Sequence, residues 1–383
     1  MPADDLTLGR LFLSQCDAEP AKRAYAMLVD DAQLGPACSF AELRRDVAQL
    51  AAWLASVSAP GDRVVLAFPA GLDFVRIFWA CILSGRIAVP VPPPDRMRLH
   101  QAARRLSSII EDARAALVLT TGELLDASAS ALDPGTFTLA RWRALPDEAQ
   151  RPAFPPFAAE VQASATSVAY LQYTSGSTSA PRGVRLSHAN VIANARAMIA
   201  CGHAGADARA LSWLPHFHDY GLVIGIVSPI VAGATSYLMS PIAFLRRPVR
   251  WLDAIGRYGI THTGAPDSGF AACLQAVAGK PLTARLDSLR SLSCGAEPVR
   301  AETMERALAV FGAAGMPAAA LMPSYGLAEA VLGVTIPQNG AVLRTVSVDA
   351  TLLREGRFVE RDADADSGAG TPVRRFVACG QPL

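Results

Sequence analysis

The chain has 383 residues, enough for one large composite domain or two packed ones around a sizeable buried core. Hydrophobic residues make up 51% and charged residues 18%, which excludes disorder over most of the length. The 35 basic and 34 acidic side chains nearly cancel to +1, leaving no global field for nucleic acid or an anionic membrane. Only Lys22 and Lys280 are lysines, so any lysine chemistry has two candidates.

The start, MPADDLTLGR, carries two early acids and no apolar run, which predicts no secretory leader. Seven cysteines are scattered without a Cys-x-x-Cys pair, signalling neither a zinc site nor a disulfide framework; a reducing cytoplasm fits. Residues 40–57 place apolar side chains at helical spacing and predict a helix, followed by a turn and a strand over 63–68. A helix is expected over 71–83, then a strand that Pro90, Pro92, Pro93 and Pro94 end in an extended exit. A helix over 99–113 and a strand over 116–120 complete the unit. Such alternation is the pattern of an α/β protein with largely parallel, buried strands. Residues 133–160, proline-bearing and weakly periodic, predict a long connector.

A second block of the same style runs from Val168 to about Val334. Within it, residues 220–245 hold no charged side chain and are long enough to span a bilayer. Gly221, Gly225, Pro229, Gly233 and Pro241 interrupt that run, so a buried helix followed by a buried strand is expected, with no membrane span. Residues 339–373 differ in being polar, with the acidic run ERDADAD. The expected organisation is a first α/β subdomain plus connector over 1–160, a second block with the site over 161–338, a distinct segment over 339–376 and the start of another subdomain over 377–383.

The strongest local chemical signal is YTSGSTSAPRGV, residues 173–184, between a strand and a helix. Gly176 lets backbone approach a ligand closely; Thr174, Ser175, Ser177 and Thr178 supply hydroxyl and amide donors, and Arg182 a cation, a set suited to phosphates. A flexible Ser/Thr loop is the plain alternative. The spacing is not G-x-x-x-x-G-K-(S/T), which excludes an ordinary Walker-type loop. His216-x-His218-Asp219 has metal-ligand chemistry but no supporting ligand set elsewhere. Cys294 reads as a small buried hydrophobe rather than a nucleophile. No G-x-S-x-G occurs, which disfavours a serine hydrolase, and no G-x-G-x-x-G follows a strand, which disfavours a dehydrogenase.

Residues 174–183 resemble the phosphate-binding signature of the adenylate-forming enzymes, T-S-G-(S/T)-T-G-x-P-K-G, with Ser179 in place of a glycine and Arg182 in place of the lysine. Arginine is a fork-shaped donor rather than a point charge, so the role is not transferred unchanged. Ser324-Tyr325-Gly326-Leu327-Ala328-Glu329-Ala330 resembles the family's Y-G-x-(T/A)-E segment, and Ser293 to Pro298 the segment whose backbone lines the adenine pocket. Residues 212–222, 239–255 and 263–270 resemble the fatty acyl-AMP ligase branch, which activates fatty acids and passes them to an acyl carrier protein. The segment beginning at Asn339 falls where that branch carries an insertion; by composition alone it is a surface loop.

The resemblance implies the α/β fold of an adenylate-forming N-terminal domain, of packed subdomains with largely parallel sheets and a last β subdomain cut short. It implies ATP and Mg2+ as cofactors and fatty acid and acyl carrier protein, in trans or downstream in the same polypeptide, as partners. Thr174 to Thr178 and Arg182 would hold the phosphates, Glu329 the magnesium, and Tyr325 and Gly326 with Gly295, Ala296 and Glu297 the adenine. His218, Asp219, Gly221 and Ala328 would line the junction with the acyl pocket, Arg182, Glu329 and His218 acting in catalysis. The family's ribose-binding aspartate motif and late catalytic lysine have no counterpart among these residues, so weak or no adenylation is expected of the chain by itself. An acyl-CoA ligase and a noncatalytic acyl-binding or docking module remain as alternatives.

Overall fold

A computed structural model describes residues 6–94, 99–131, 139–146, 163–174, 181–338, 340–361 and 372–383. Helix α1 (Leu8–Ala18) is capped by the Thr7 hydroxyl, which accepts the Arg10 N–H at 3.2 Å. Strands β1 (Arg23–Val29) and β2 (Gln33–Ser39) pair antiparallel. Helix α2 (Phe40–Val57) opens on a capping box: the Ser39 hydroxyl accepts the Glu42 N–H at 3.2 Å and the Glu42 carboxylate accepts the Ser39 N–H at 2.8 Å.

Then follow β3 (Arg63–Leu66), α3 (Leu72–Ser84), β4 (Ile87–Pro90), α4 (Leu99–Ala113), β5 (Leu117–Thr120), α5 (Gly122–Ala131), β6 (Arg141–Ala144), β7 (Val168–Thr174) and β8 (Arg182–Ser187). They build a sheet of order β6-β5-β3-β4-β7-β8, parallel except for the β7–β8 hairpin. Strand β6 corrects the expected connector, since it adds an edge to the sheet by pairing Trp142 with Val118. Four residues in which Trp142 alternates with two arginines are too short to register as a period-2 signal. The remaining connector residues 133–138 and 147–160 lie outside the described residues.

Past α6 (His188–Gly202) and β9 (Arg209–Ser212), the uncharged run folds as α7 (Asp219–Leu222), a π turn (Val223–Val227), α8 (Ser228–Ala232) and β10 (Thr235–Met239), ending in α9 (Pro241–Arg246). Gly233 closes α8 in the left-handed region at φ +67°, which any Cβ would strain. Next come α10 (Val249–Tyr258), β11 (His262–Ala265), α11 (Asp267–Ala276), β12 (Ser291–Cys294), α12 (Ala301–Ala313), β13 (Leu321–Pro323), β14 (Tyr325–Gly326) and β15 (Gly333–Ile336). The last elements are β16 (Thr345–Asp349), α13 (Ala350–Arg354), β17 (Glu360–Arg361), β18 (Val373–Val377) and β19 (Gln381–Pro382).

Two compact units result: residues 1–196, 212–241 and 328–332, and residues 197–211, 242–327 and 333–383. They cut across the linear segments 1–160, 161–338, 339–376 and 377–383. In the first unit β10 joins β1 in parallel, and the Leu8 N–H donates to His188 Nδ1 at 3.3 Å across 180 residues of chain. Burial pushes His188 down to about 4, so the ring is a neutral acceptor. The second unit is built on parallel β13-β12-β11-β9, with β14-β15-β19 and the antiparallel sheet β17-β16-β18 as smaller sheets. The polar 339–373 segment thus contains regular structure in its described part; Asn339 and residues 362–371 lie outside it. Among the described residues, no helix is long and apolar enough to cross a membrane.

Candidate nucleotide and acyl site

In the first unit, the phosphate-loop candidate is held by the β7–β8 hairpin, with Tyr173 opposite Gly183 and Thr174 opposite Arg182. Ser175, Gly176, Ser177 and Thr178 lie outside the described residues. The Tyr173 hydroxyl donates to the Asp112 carboxylate of α4 at 2.5 Å. Burial, reinforced by that carboxylate, pushes the phenol well up, so it stays a proton donor. Gly183 is required by this packing: a Cβ would sit 2.8 Å from the Tyr173 ring.

A cavity of about 170 Å³ opens beside the hairpin, lined by Thr174, Gln172, His218, Asp219, Ala328 and Arg105, with Pro90 to Pro92 on its wall. The structure therefore brings the predicted residues Thr174, His218, Asp219 and Ala328 together. Gln172 fixes the far side, its amide donating to the Phe217 carbonyl at 2.8 Å. His218 stands at the position preceding α7 and Asp219 is its first residue. The 2.6 Å contact of His218 Nδ1 with Asp219 Oδ1 requires a shared proton, so Nδ1 donates, and the Tyr220 N–H goes to the same carboxylate oxygen at 2.6 Å. That hydrogen bond raises the His218 pKa against the opposing effect of burial. Nε2 is the ring nitrogen not engaged by Asp219.

Arg182 is exposed at the base of β8 and Glu329 is exposed on the 3-10 turn Ala328–Ala330, which packs against β8. Gly221 lines a second, smaller cavity instead; a Cβ there would run into the Pro215 carbonyl. Sequence reasoning missed Arg105, Asp112 and Gln172, which come from elements without a motif.

The remaining predicted residues belong to the second unit. Gly295 to Glu297 leave the carboxyl end of β12 and Tyr325 follows the carboxyl end of β13, where open parallel sheets bind ligands. The Ser324 N–H donates to the Cys294 carbonyl at 2.7 Å, and a Cβ on Gly295 would stand 3.0 Å from the Ser324 carbonyl oxygen. Ala296 sits at φ +68°, a strained turn for a residue with a Cβ. The Glu297 carboxylate is engaged at the start of α11, accepting the Ser268 N–H and hydroxyl at 2.9 Å each. Tyr325 is 54% exposed, an aromatic face available for stacking, with Gly326 beside it on β14. Burial pushes the Cys294 thiol well up, which leaves it inert. Among the described residues no three His, Cys, Asp or Glu groups converge as a metal cluster.

Residues 12–362 match the family of AMP-binding enzymes. The chain belongs to that family. Among relatives of this AMP-binding chain, medium-chain-fatty-acid acyl-carrier-protein ligase JamA of Moorena producens is 36% identical over 95% of the chain and 61% of its own length. Long-chain-fatty-acid–AMP ligase FadD26 of Mycobacterium marinum is 32% identical over 100% of the chain and 65% of its own length. The chain thus spans less than two thirds of these relatives. A fatty acyl-adenylate ligase from L. pneumophila, solved in complex with acyl adenylate and pyrophosphate, superposes with a TM-score of 0.86 at 30% identity, covering 98% of this chain and 64% of that one. The α/β fold with largely parallel sheets is that of the N-terminal domain of fatty acyl-AMP ligases.

Proposed function

We propose that this AMP-binding chain carries the acyl- and nucleotide-binding part of a fatty acyl-AMP ligase, which activates a fatty acid with ATP and delivers it to an acyl carrier protein. The observation that carries the reading is the single cavity where the phosphate-loop stem, the His218–Asp219 pair and the Ala328 turn meet. A carboxylate oxygen of the fatty acid attacks the α-phosphorus of ATP, the α–β phosphoanhydride bond breaks, and pyrophosphate leaves. The protein's task is to hold two anions in line and spread the developing charge.

Thr174 and Arg182, opposite each other on the two strands, flank residues 175–180, which would hold the phosphates, and the Arg182 fork suits two phosphate oxygens at once. His218, kept protonated to higher pH by Asp219, offers Nε2–H to an anionic oxygen at the acyl junction. Tyr325, Gly326 and the backbone of Gly295 to Glu297 supply the adenine surface. Glu329 suits magnesium in the chemistry of its donor, since an exposed hard carboxylate fits an ion bound chiefly through phosphate oxygens and water. Mg2+ supplies charge neutralisation of the phosphates when bound. The seven cysteines are all free thiols, which supports a cytoplasmic setting.

The test is fatty-acid-dependent exchange of labelled pyrophosphate into ATP by the protein that carries this chain. Exchange should require decanoate and fall about 100- to 1,000-fold in Arg182→Ala, the range for losing a transition-state charge contact. Exchange without fatty acid, or unchanged in that variant, contradicts the assignment.

A further inference from the structure

The second cavity of the first unit, about 20 Å³, has room for about one water-sized group. Its wall is apolar, with Phe74, Leu214, Ile226, Leu238 and Met239 contributing, and the Ser212 hydroxyl there accepts the Leu214 N–H at 3.3 Å. His216 also lines it and is 7% exposed, its ring centroid 3.9 Å from that of Phe74. The Phe68 carbonyl takes one ring N–H, and burial pushes the pKa down to about 4, so the imidazole is neutral at pH 7. Nε2, the other nitrogen, has no hydrogen-bond partner among the described residues. With the proton on Nδ1, Nε2 is a lone-pair acceptor. Buried acceptors are normally paired, so Nε2 calls for a donor, from a water or from a ligand.

Of two glycines in this region, Gly221 lines the cavity against backbone and Gly225 packs against the Ser212 side chain. A Cβ on Gly221 would collide with the Pro215 carbonyl, and one on Gly225 would stand 2.9 Å from the Ser212 Cβ. An acyl chain passing this space meets His216 Nε2, which can only accept, beside the Ser212 hydroxyl, whose oxygen already accepts the Leu214 N–H. An unsubstituted methylene chain would displace any water there and leave Nε2 unpaired, whereas a hydroxyl would satisfy it.

We infer that His216 makes this cavity select an acyl substrate bearing a hydroxyl group, which donates its hydrogen bond to His216 Nε2. The inference rests on the acyl-activating reading and names its substrate class. It assigns His216, the member of the His-x-His-Asp run outside the nucleotide-side cavity, a specificity role distinct from that of His218.

The experiment is calorimetric titration of the 383-residue chain with decanoic acid and with a set of its monohydroxylated derivatives. At least one derivative should bind about 3- to 10-fold more tightly than decanoate, the worth of one well-placed neutral hydrogen bond. His216→Leu should erase that preference while leaving decanoate binding equal or tighter. His216→Gln, whose amide can donate to Phe68 and still present an oxygen, should retain it. Thermal melts of both variants establish that they are folded. If decanoate binds and no derivative is favoured, or if the preference survives His216→Leu, the inference is overturned while the acyl reading stands. Failure of every acid to bind overturns both.

Discussion

Tyr173 does two things at once: its ring fills the space that Gly183 leaves open, and its hydroxyl ties the phosphate-loop hairpin to α4 through Asp112. Tyr173→Phe keeps the ring and removes only the tie. We expect ATP affinity to drop about 3- to 10-fold with decanoate affinity unchanged, measured by titration, since a hydrogen bond to a charged group contributes about 1.5–3 kcal/mol, part of which solvent at exposed Asp112 restores. Equal losses for both ligands would mean general loosening instead. His188 and His216, each held down to about 4 by burial, make a second prediction. Both stay neutral in the folded chain while an unfolded histidine titrates near its ordinary value of about 6.5. Their stabilising effect is therefore complete above that value and lost as pH falls toward 4. Each is worth up to about 3 kcal/mol, so His188→Asn, which keeps an acceptor for the Leu8 N–H, should flatten the fall of melting temperature between pH 6.5 and 4. His218 works in the opposite sense, since its raised pKa favours the folded form at lower pH. Motifs marked Thr174, Arg182, His218 and Tyr325 as candidates because their residue types match the chemistry. Arg105 and Gln172 at the cavity and Asp112 behind Tyr173 were invisible because only tertiary packing gives them their places.

Among the elements, helix limits were the most legible. The 40–57 helix matches α2 residue for residue, because Ser39 and Glu42 write the capping box into the sequence. The 99–113 helix likewise matches α4. The uncharged 220–245 run was readable as buried helix then strand, but its π turn was not, since that turn depends on tertiary bonds. The Tyr25 hydroxyl donates to the Ile226 carbonyl at 2.6 Å and the Ser236 hydroxyl to that of Gly225 at 2.7 Å. Glycine substitutions separate packing from propensity. Gly183→Ala should cost about 1–3 kcal/mol in urea unfolding, because the Tyr173 ring must move, and ATP binding should weaken with it. Gly312→Ala, on an exposed turn of α12 with nothing near its new Cβ, should instead stabilise by about 0.5–1 kcal/mol. Equal effects at the two sites would remove the argument for a packed hairpin stem.

At the scale of the whole molecule, fold class was legible because parallel βα units repeat a local rhythm that sequence records. The two compact units were not, because they are defined by pairings far apart in the chain, such as β1 with β10. Near-zero net charge likewise predicts that anion binding rests on a few placed arginines rather than a global field. We propose that this chain holds an acyl group and a nucleotide as one adenylate. Calorimetric titration with decanoyl-sulfamoyl-adenosine, a stable mimic of the acyl adenylate, tests it most directly. Joining the two halves should make the mimic bind at least about 100-fold more tightly than AMP or decanoate alone. Binding no tighter than the better half, or none at all, would mean that the chain does not hold the two as one ligand.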